Sequence, residues 1–430
     1  VAAARGTRQT AEEAGPHGSG EPLATEADLA SRWLGGSVLA ASDESFGDKE
    51  NLLNPSPAAF EPGHYGNRGE IVDGWETRRR REPGHDWALI SLGTPGVITS
   101  VDVDTSFFTG NYPEFCIVEA CGCEGYPSPA ELNDPATEWV PIVHRSPLRG
   151  DLRNVFPVAD PRRFTHVRLS AFPDGGIARL RVMGQVVPDP RHVDGCTVDL
   201  VSQEFGGAVV LSSDGFYTSA QMLNRPDQAR TMGEGWETRR RRDAGHDFVE
   251  FRLAFPGHVR QLHIDTAHFK YNASAEVAVY GSAEESPPPA ESAEWGELLP
   301  HTRLQPDTRH IFVVDHDRPV ASVRLEAFPD GGISRVRVVG DITSGARSAA
   351  GYRWFNALPS SQAVACLEAA GIASDVAATV VGERPLTGQW LDALRERVAL
   401  GGAASGDETG AATLTTLLEG RAANASVGPR

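Results

Sequence analysis

Apolar and polar positions alternate along much of the chain. Val249, Phe251 and Leu253 are separated by polar residues, and Val323 and Leu325 flank Arg324. Ile98, Val101 and Val103 follow the same rhythm, as do Leu262 and Ile264. A period of two is the signature of half-buried strands. Pro95-Gly96, Pro256-Gly257 and two Asp-Gly-Gly triplets, 174–176 and 330–332, interrupt the runs as turns. No amphipathic helical pattern falls between them. Short strands with regular turns predict an all-β sandwich or jelly roll. After Gly340 the pattern changes. Residues 341–351 are rich in Gly, Ser and Ala and read as a linker. From Trp354 to about Leu400 the chain reads as helical, with Trp390, Leu394 and Val398 on one face. The small, polar stretch from Gly401, residues 401–430, reads as a low-complexity tail with little order. Residues 1–27 read as a disordered arm. Val1–Gly20 has no apolar centre of the kind a secretory signal needs.

The strand-like part is written twice. Asp73-Gly-Trp-Glu-Thr-Arg-Arg-Arg-Arg-Glu-Pro-Gly-His-Asp86 returns as Glu234-Gly-Trp-Glu-Thr-Arg-Arg-Arg-Arg-Asp-Ala-Gly-His-Asp247, and 161 residues separate Trp75 from Trp236. Asp104-Thr105 matches Asp265-Thr266, and Asn111 matches Asn272, at the same spacing. Ala171-Phe-Pro-Asp-Gly-Gly-Ile177 returns as Ala327-Phe-Pro-Asp-Gly-Gly-Ile333, with 156 residues separating Pro173 from Pro329. Each copy has the size of one domain, so two tandem units are predicted, 28–187 and 188–342, followed by a linker and helical appendage, 343–400.

The formal net charge of −18 argues against a nucleic-acid partner, which would need clustered, uncompensated Lys and Arg. No run of about 18 apolar residues is present, so no helical membrane span is expected. Five irregularly spaced cysteines point to free thiols in a reducing, cytoplasmic setting.

Both copies keep a Glu, four Arg and a Gly-His-Asp. An isolated Arg run is usually a solvated face, and Trp75 and Trp236 read as core. Retention of every charged position in both copies, while flanking Pro83 has become Ala244, favours chemistry instead. Arg forks grip carboxylates, and a Glu or a His–Asp pair can move protons. Glu76, His85 and Asp86 are therefore the catalytic candidates. Arg78, Arg79, Arg80, Asp104, Thr105 and Asn111 are the ligand-binding candidates in the first copy, with Glu237, Arg239, His246, Asp265 and His268 in the second. Asp104, Asp265 and Asn111 read equally well as local turn formers, and the Asp-Gly-Gly triplets as tight turns. No HExxH or similar pair is present; a divalent metal would need ligands gathered by folding.

These blocks resemble the allantoicase family over roughly residues 28–342. The resemblance implies two jelly rolls of the galactose-binding and discoidin type. It also implies hydrolysis of allantoate, a small-molecule substrate, to ureidoglycolate and urea in purine degradation. The arginines would hold the carboxylate of allantoate, Glu76 and His85–Asp86 would move protons, and Asp104 and Asn111 would hold ureido groups or a metal. In the second copy Tyr271-Asn-Ala-Ser274 lacks the Gly and Pro of Gly110-Asn-Tyr-Pro113, which favours the first copy as the more competent. Trp354-Phe-Asn-Ala-Leu-Pro359 and Glu383-Arg-Pro-Leu386 resemble the opening of ureidoimidazoline decarboxylases without that family's catalytic His-Pro segment, which implies a non-catalytic appendage. The rival readings are a tandem carbohydrate- or ligand-binding protein and an inactive partner of purine-degrading enzymes. Homo-oligomers are compatible with all three.

Overall fold

The computed structural model describes residues 21–67, 69–400 and 405–421. In the first repeat one strand organises both layers. Asp86–Asp104 runs for 19 residues, several times the usual strand length. Its first half pairs with Ser37–Ala41 and Arg163–Phe172, and its second half with Arg153–Pro157 and Arg179–Val186. The partners change around Pro95-Gly96. Gly96 is needed there, since an added Cβ would lie 2.3 Å from the Gln185 carbonyl oxygen. The second repeat does the same with Asp247–Asp265, also 19 residues. Antiparallel pairing with alternating inward residues makes each repeat a β-sandwich, as the alternation predicted.

Each sandwich has its own core, centred on Trp75 or Trp236. Both indoles are 0 % exposed. Each donates its Nε1–H at 2.8 Å to a backbone carbonyl, Asp43 or Asp214, so burial leaves no polar atom unpaired. Truncating either would cost about 3–5 kcal/mol.

The termini depart from expectation. Residues 21–27 are ordered: Glu21–Pro22 adds a ninth strand to the second repeat's sheet, and Ala27–Asp28 joins the eight-stranded sheet of the first. The arm is therefore a strap across both repeats; its first 20 residues lie outside the described part. The expected linker at 341–351 is mostly helix, Ser344–Ala357, capped by the Thr343 hydroxyl. Its small residues serve packing. Ala346 and Ala350 lie on the second core, and Gly351 lets the Leu418 backbone approach. The expected disordered tail contains the helix Ser405–Leu418, which buries Leu414, Leu417 and Leu418 in a third core with Trp354 and Phe355. The helices Ser360–Ala369, Ser374–Gly382 and Gly388–Leu400 complete this appendage. It docks on the first repeat through Ser361–Glu138 and Gln362–Glu124 hydrogen bonds.

Candidate functional site

The two repeated motifs of each module meet in space. Trp75–Glu76 pairs antiparallel with Gly176–Ile177, and Trp236–Glu237 with Gly332–Ile333. The Gly175 amide donates to the Thr77 hydroxyl at 3.0 Å, and the Gly331 amide to Thr238 at 2.7 Å. Asp174 accepts the Arg80 amide at 2.7 Å, and Asp330 the Arg241 amide at 2.9 Å. The Asp-Gly-Gly turn is thus a clamp on the arginine loop. Gly175 has φ 136°, and a Cβ on Gly176 would lie 1.9 Å from the Phe108 ring. These glycines make room for the protein's own chain, which answers why the triplet is repeated.

The third arginine of each run is used internally. Arg80 Nη1 donates to Asp86 Oδ1 at 2.8 Å, and Arg241 Nε to Asp247 Oδ1 at 2.8 Å. Asp86 is 1 % exposed, and its Oδ1 also accepts the Ser42 hydroxyl at 3.0 Å. Asp86 is enclosed, with no open face for proton transfer to a substrate, whereas Arg80 pairs with it and still lines an open groove; together they fix the loop. Thr105 is enclosed likewise: it is 0 % exposed and its hydroxyl serves the Arg149 and Leu152 carbonyls. Asp104 and Asp265 accept local amides, from Ser106 and Ala267 at 2.8 Å each, as turn formers do. His268 sits at φ 72°, matching Phe107 at φ 69°, with Nε2 2.9 Å from the Ala229 carbonyl oxygen.

What remains open to a ligand is a smaller set. Asn111 Nδ2 donates to Glu76 Oε1 at 2.7 Å. Asn272 Nδ2 donates to Glu237 Oε1 at 2.6 Å. The second loop therefore delivers the same amide without the flanking Gly and Pro, and the two copies match at this pair. Burial pushes the Glu76 carboxyl above the usual carboxylate range, against the opposing Asn111 hydrogen bond. The Glu76 carbonyl is anchored by the Phe46 and Gly47 amides. Further along the same loop Arg78 is exposed, with Nε 3.2 Å from Asp43, and Arg79 is exposed beside it. Arg239 lies 3.9 Å from Asp214 with its guanidinium 4.2 Å over the Phe216 ring.

His85 stands elsewhere. It lines an open groove of about 560 Å³ with Arg168, Glu119 and Trp87, and its ring stacks on Phe172 at 4.5 Å. Neither Glu76 nor Asn111 lines that groove. Burial, then the charge of Arg80, lowers the His85 pKa and favours the neutral imidazole. His246 packs on Phe328 and lies 3.4 Å from Glu326. Among the described residues, no group of three or more His, Cys, Asp or Glu side chains could hold a metal ion. Sequence reasoning missed Asn272, although its match to Asn111 was visible. It also missed the anchoring carboxylates Asp43, Asp174, Asp214 and Asp330.

A family model described as "Allantoicase repeat" matches residues 27–187 and 198–343. The chain belongs to the allantoicase family. It is 46 % identical over 352 residues to a protein named "Probable allantoicase" from Streptomyces coelicolor, covering 77 % of this chain and 92 % of that one. A "Probable allantoicase" from Nocardia farcinica is 49 % identical over 317 residues, covering 73 % of this chain and 94 % of the relative. A crystal structure of allantoicase from Saccharomyces cerevisiae superposes with a TM-score of 0.63 at 32 % identity, covering 73 % of this chain and 93 % of that one. The family match ends at residue 343, so the helices from Ser344 onward are an addition to the allantoicase repeats.

Proposed function

We propose that this protein is an allantoicase that hydrolyses one C–N bond of allantoate, giving ureidoglycolate and urea. The observation that carries the reading is 46 % identity extending over 92 % of a relative named "Probable allantoicase". The geometry supplies chemistry to match. Water must form a C–O bond at the central carbon of allantoate while the C–N bond to one ureido group breaks. The departing nitrogen must receive a proton. Glu76, with its raised pKa, gives and takes that proton, and Asn111 orients it. The exposed Arg78 and Arg79 hold the substrate carboxylate, since guanidinium forks match carboxylates. Glu237, Asn272 and Arg239 form the matching set in the second module, with the same Glu–Asn hydrogen bond, so each repeat holds a site of its own. Asp86, Asp174 and Thr77 act through the loop as positioning residues. The free cysteines suit a reducing compartment such as the cytoplasm, and the appended helices carry no part of this reaction.

A second reading places the proton transfer at His85, favoured by its neutral imidazole in an open groove beside Arg168. Urea release from allantoate tests the function, with and without prior chelation. Glycan binding without urea release would favour a carbohydrate-binding protein instead. Loss of activity in His85→Ala, with activity kept in Glu76→Gln, would move the site to the groove.

A further inference from the structure

Both repeats carry the same cluster of three arginines, with one difference at its centre. Arg153, Arg179 and Arg181 of the first repeat match Arg309, Arg335 and Arg337 of the second, at a spacing of 156 residues. In the first repeat Asp102 lies in register with Arg181. In the second, His263 lies in register with Arg337. A neutral residue thus stands where the first repeat has a carboxylate.

The other arginines each meet an acid. Arg179 reaches Asp73 at 2.5 Å, and Arg335 reaches Asp227 at 2.8 Å. Arg181 lies 3.7 Å from Asp28, and Arg337 lies 3.5 Å from Asp199. Arg153 directs Nε and Nη2 at Asp102 Oδ2, at 2.7 and 2.5 Å. Arg309, the match of Arg153, meets no carboxylate among the described residues. Its Nη2 lies 3.0 Å from His263 Nδ1, and His263 Nε2 lies 3.1 Å from Gln261 Oε1. Arginine can only donate, so Nδ1 accepts, Nε2 carries the proton, and the imidazole is neutral. Burial, then the charges of Arg309 and Arg337, lowers the His263 pKa in keeping with that form.

Space is present at the same place. His263 and the three arginines line an open hollow of about 130 Å³, together with Asp265. Asp265 is the one carboxylate on this wall, and its Oδ1 accepts the Ala267 amide at 2.8 Å. Arg335 and Arg337 are held by the Asp227 and Pro226 carbonyls, so they supply charge and walls. Arg309 is exposed and supplies the open guanidinium fork. Neither Glu237 nor Asn272 lines the hollow.

We propose that this hollow binds the carboxylate of a small organic acid, which takes on Arg309 the place that Asp102 takes on Arg153. A carboxylate is the fitting class because the first repeat fills the matching position with one of its own. The site therefore occurs once per chain, in the second repeat. Guanidinium and carboxylate match in geometry as well as in charge.

Calorimetric titration of the full chain with acetate and with malonate, against sodium chloride at equal ionic strength, tests this. One saturable site per chain that chloride does not fill is expected. Arg309→Met, at an exposed position, should fold normally and weaken binding by at least about tenfold. His263→Asp supplies the first repeat's carboxylate in place and should abolish binding. His263→Gln, which stays neutral, should keep it. The Arg78→Met/Arg79→Met/Arg239→Met variant, which removes the proposed substrate contacts, should also keep it, and so separates the two kinds of site. Thermal unfolding confirms that each variant is folded. No saturable binding beyond chloride, unchanged binding in Arg309→Met, full binding in His263→Asp, or lost binding in His263→Gln or in the triple variant would overturn the proposal.

Discussion

Replacing Asp86 with Asn distinguishes a carboxylate that carries protons from one that holds a loop. The substitution keeps volume and the Oδ1 acceptor for Ser42, and removes the charge. Asp86 is 1 % exposed, and its pair with Arg80 spans 2.8 Å. Breaking a fully buried pair from one side costs about 3–5 kcal/mol. The Arg80 side chain is 31 % exposed, so water recovers part of its charge, and a loss of about 2 kcal/mol is expected. For a unit of this size that lowers Tm by about 4–8 °C. With the arginine loop loosened, KM for allantoate should rise several-fold, and kcat should stay within about tenfold of wild type. Thermal unfolding followed by circular dichroism, together with urea-release kinetics, gives both numbers. An unchanged Tm with kcat reduced by more than about 100-fold would refute the positioning role and return Asp86 to the chemistry.

Two further outcomes follow from packing and burial. Gly176→Ala forces a Cβ to within 1.9 Å of the Phe108 ring and should cost about 2–3 kcal/mol, whereas Gly110→Ala meets nothing within 4 Å and should cost less than about 0.5 kcal/mol; equal guanidinium midpoints would contradict this. His166 is 4 % exposed, and burial lowers its pKa from 6.5 to about 4. Its neutral form is the one the fold favours, so its contribution is complete above pH 6.5 and is lost as pH falls towards 4, a change of about 3 kcal/mol. His166→Gln should flatten the acid-side decline in stability by that amount relative to wild type. Asp199, whose burial raises its pKa to about 6, has the opposite slope in both proteins and cancels in the comparison. Parallel stability curves from pH 4 to 7 would show that His166 is not the group responsible.

The duplication and the sandwich were legible because both are written locally, as repeated motifs and period-two alternation. Glu76 and Asn111, which the fold brings into hydrogen-bond contact, stood out for the same reason: each has a matched twin. The roles of Asp86 and Thr105 were not legible, because a charged or hydroxyl residue in a motif looks the same whether it faces a ligand or the interior. Only the approach of Arg80, Ser42, Arg149 and Leu152 decides that. The strap at 21–28 depends on pairing Glu21 with Ser212, a contact between distant segments that no local pattern encodes. The last helix was legible in principle, since Leu414, Leu417 and Leu418 fall on one helical face. The surrounding Gly, Ala and Thr lowered its apolar density and hid it. Asn272 was matched to Asn111 by spacing but passed over as a site residue: losing the Gly and Pro changed the loop's appearance while the amide still reached Glu237.

The central claim is that each repeat carries its own Glu–Asn catalytic pair. Urea release from allantoate by Glu76→Gln, Glu237→Gln and the double variant, each confirmed to be folded, tests it most directly. Each single variant should keep about half of the wild-type kcat per chain, and the double variant should lose at least about 100-fold. A double variant with wild-type turnover, or a single variant that abolishes all activity, would contradict two independent sites built on these glutamates.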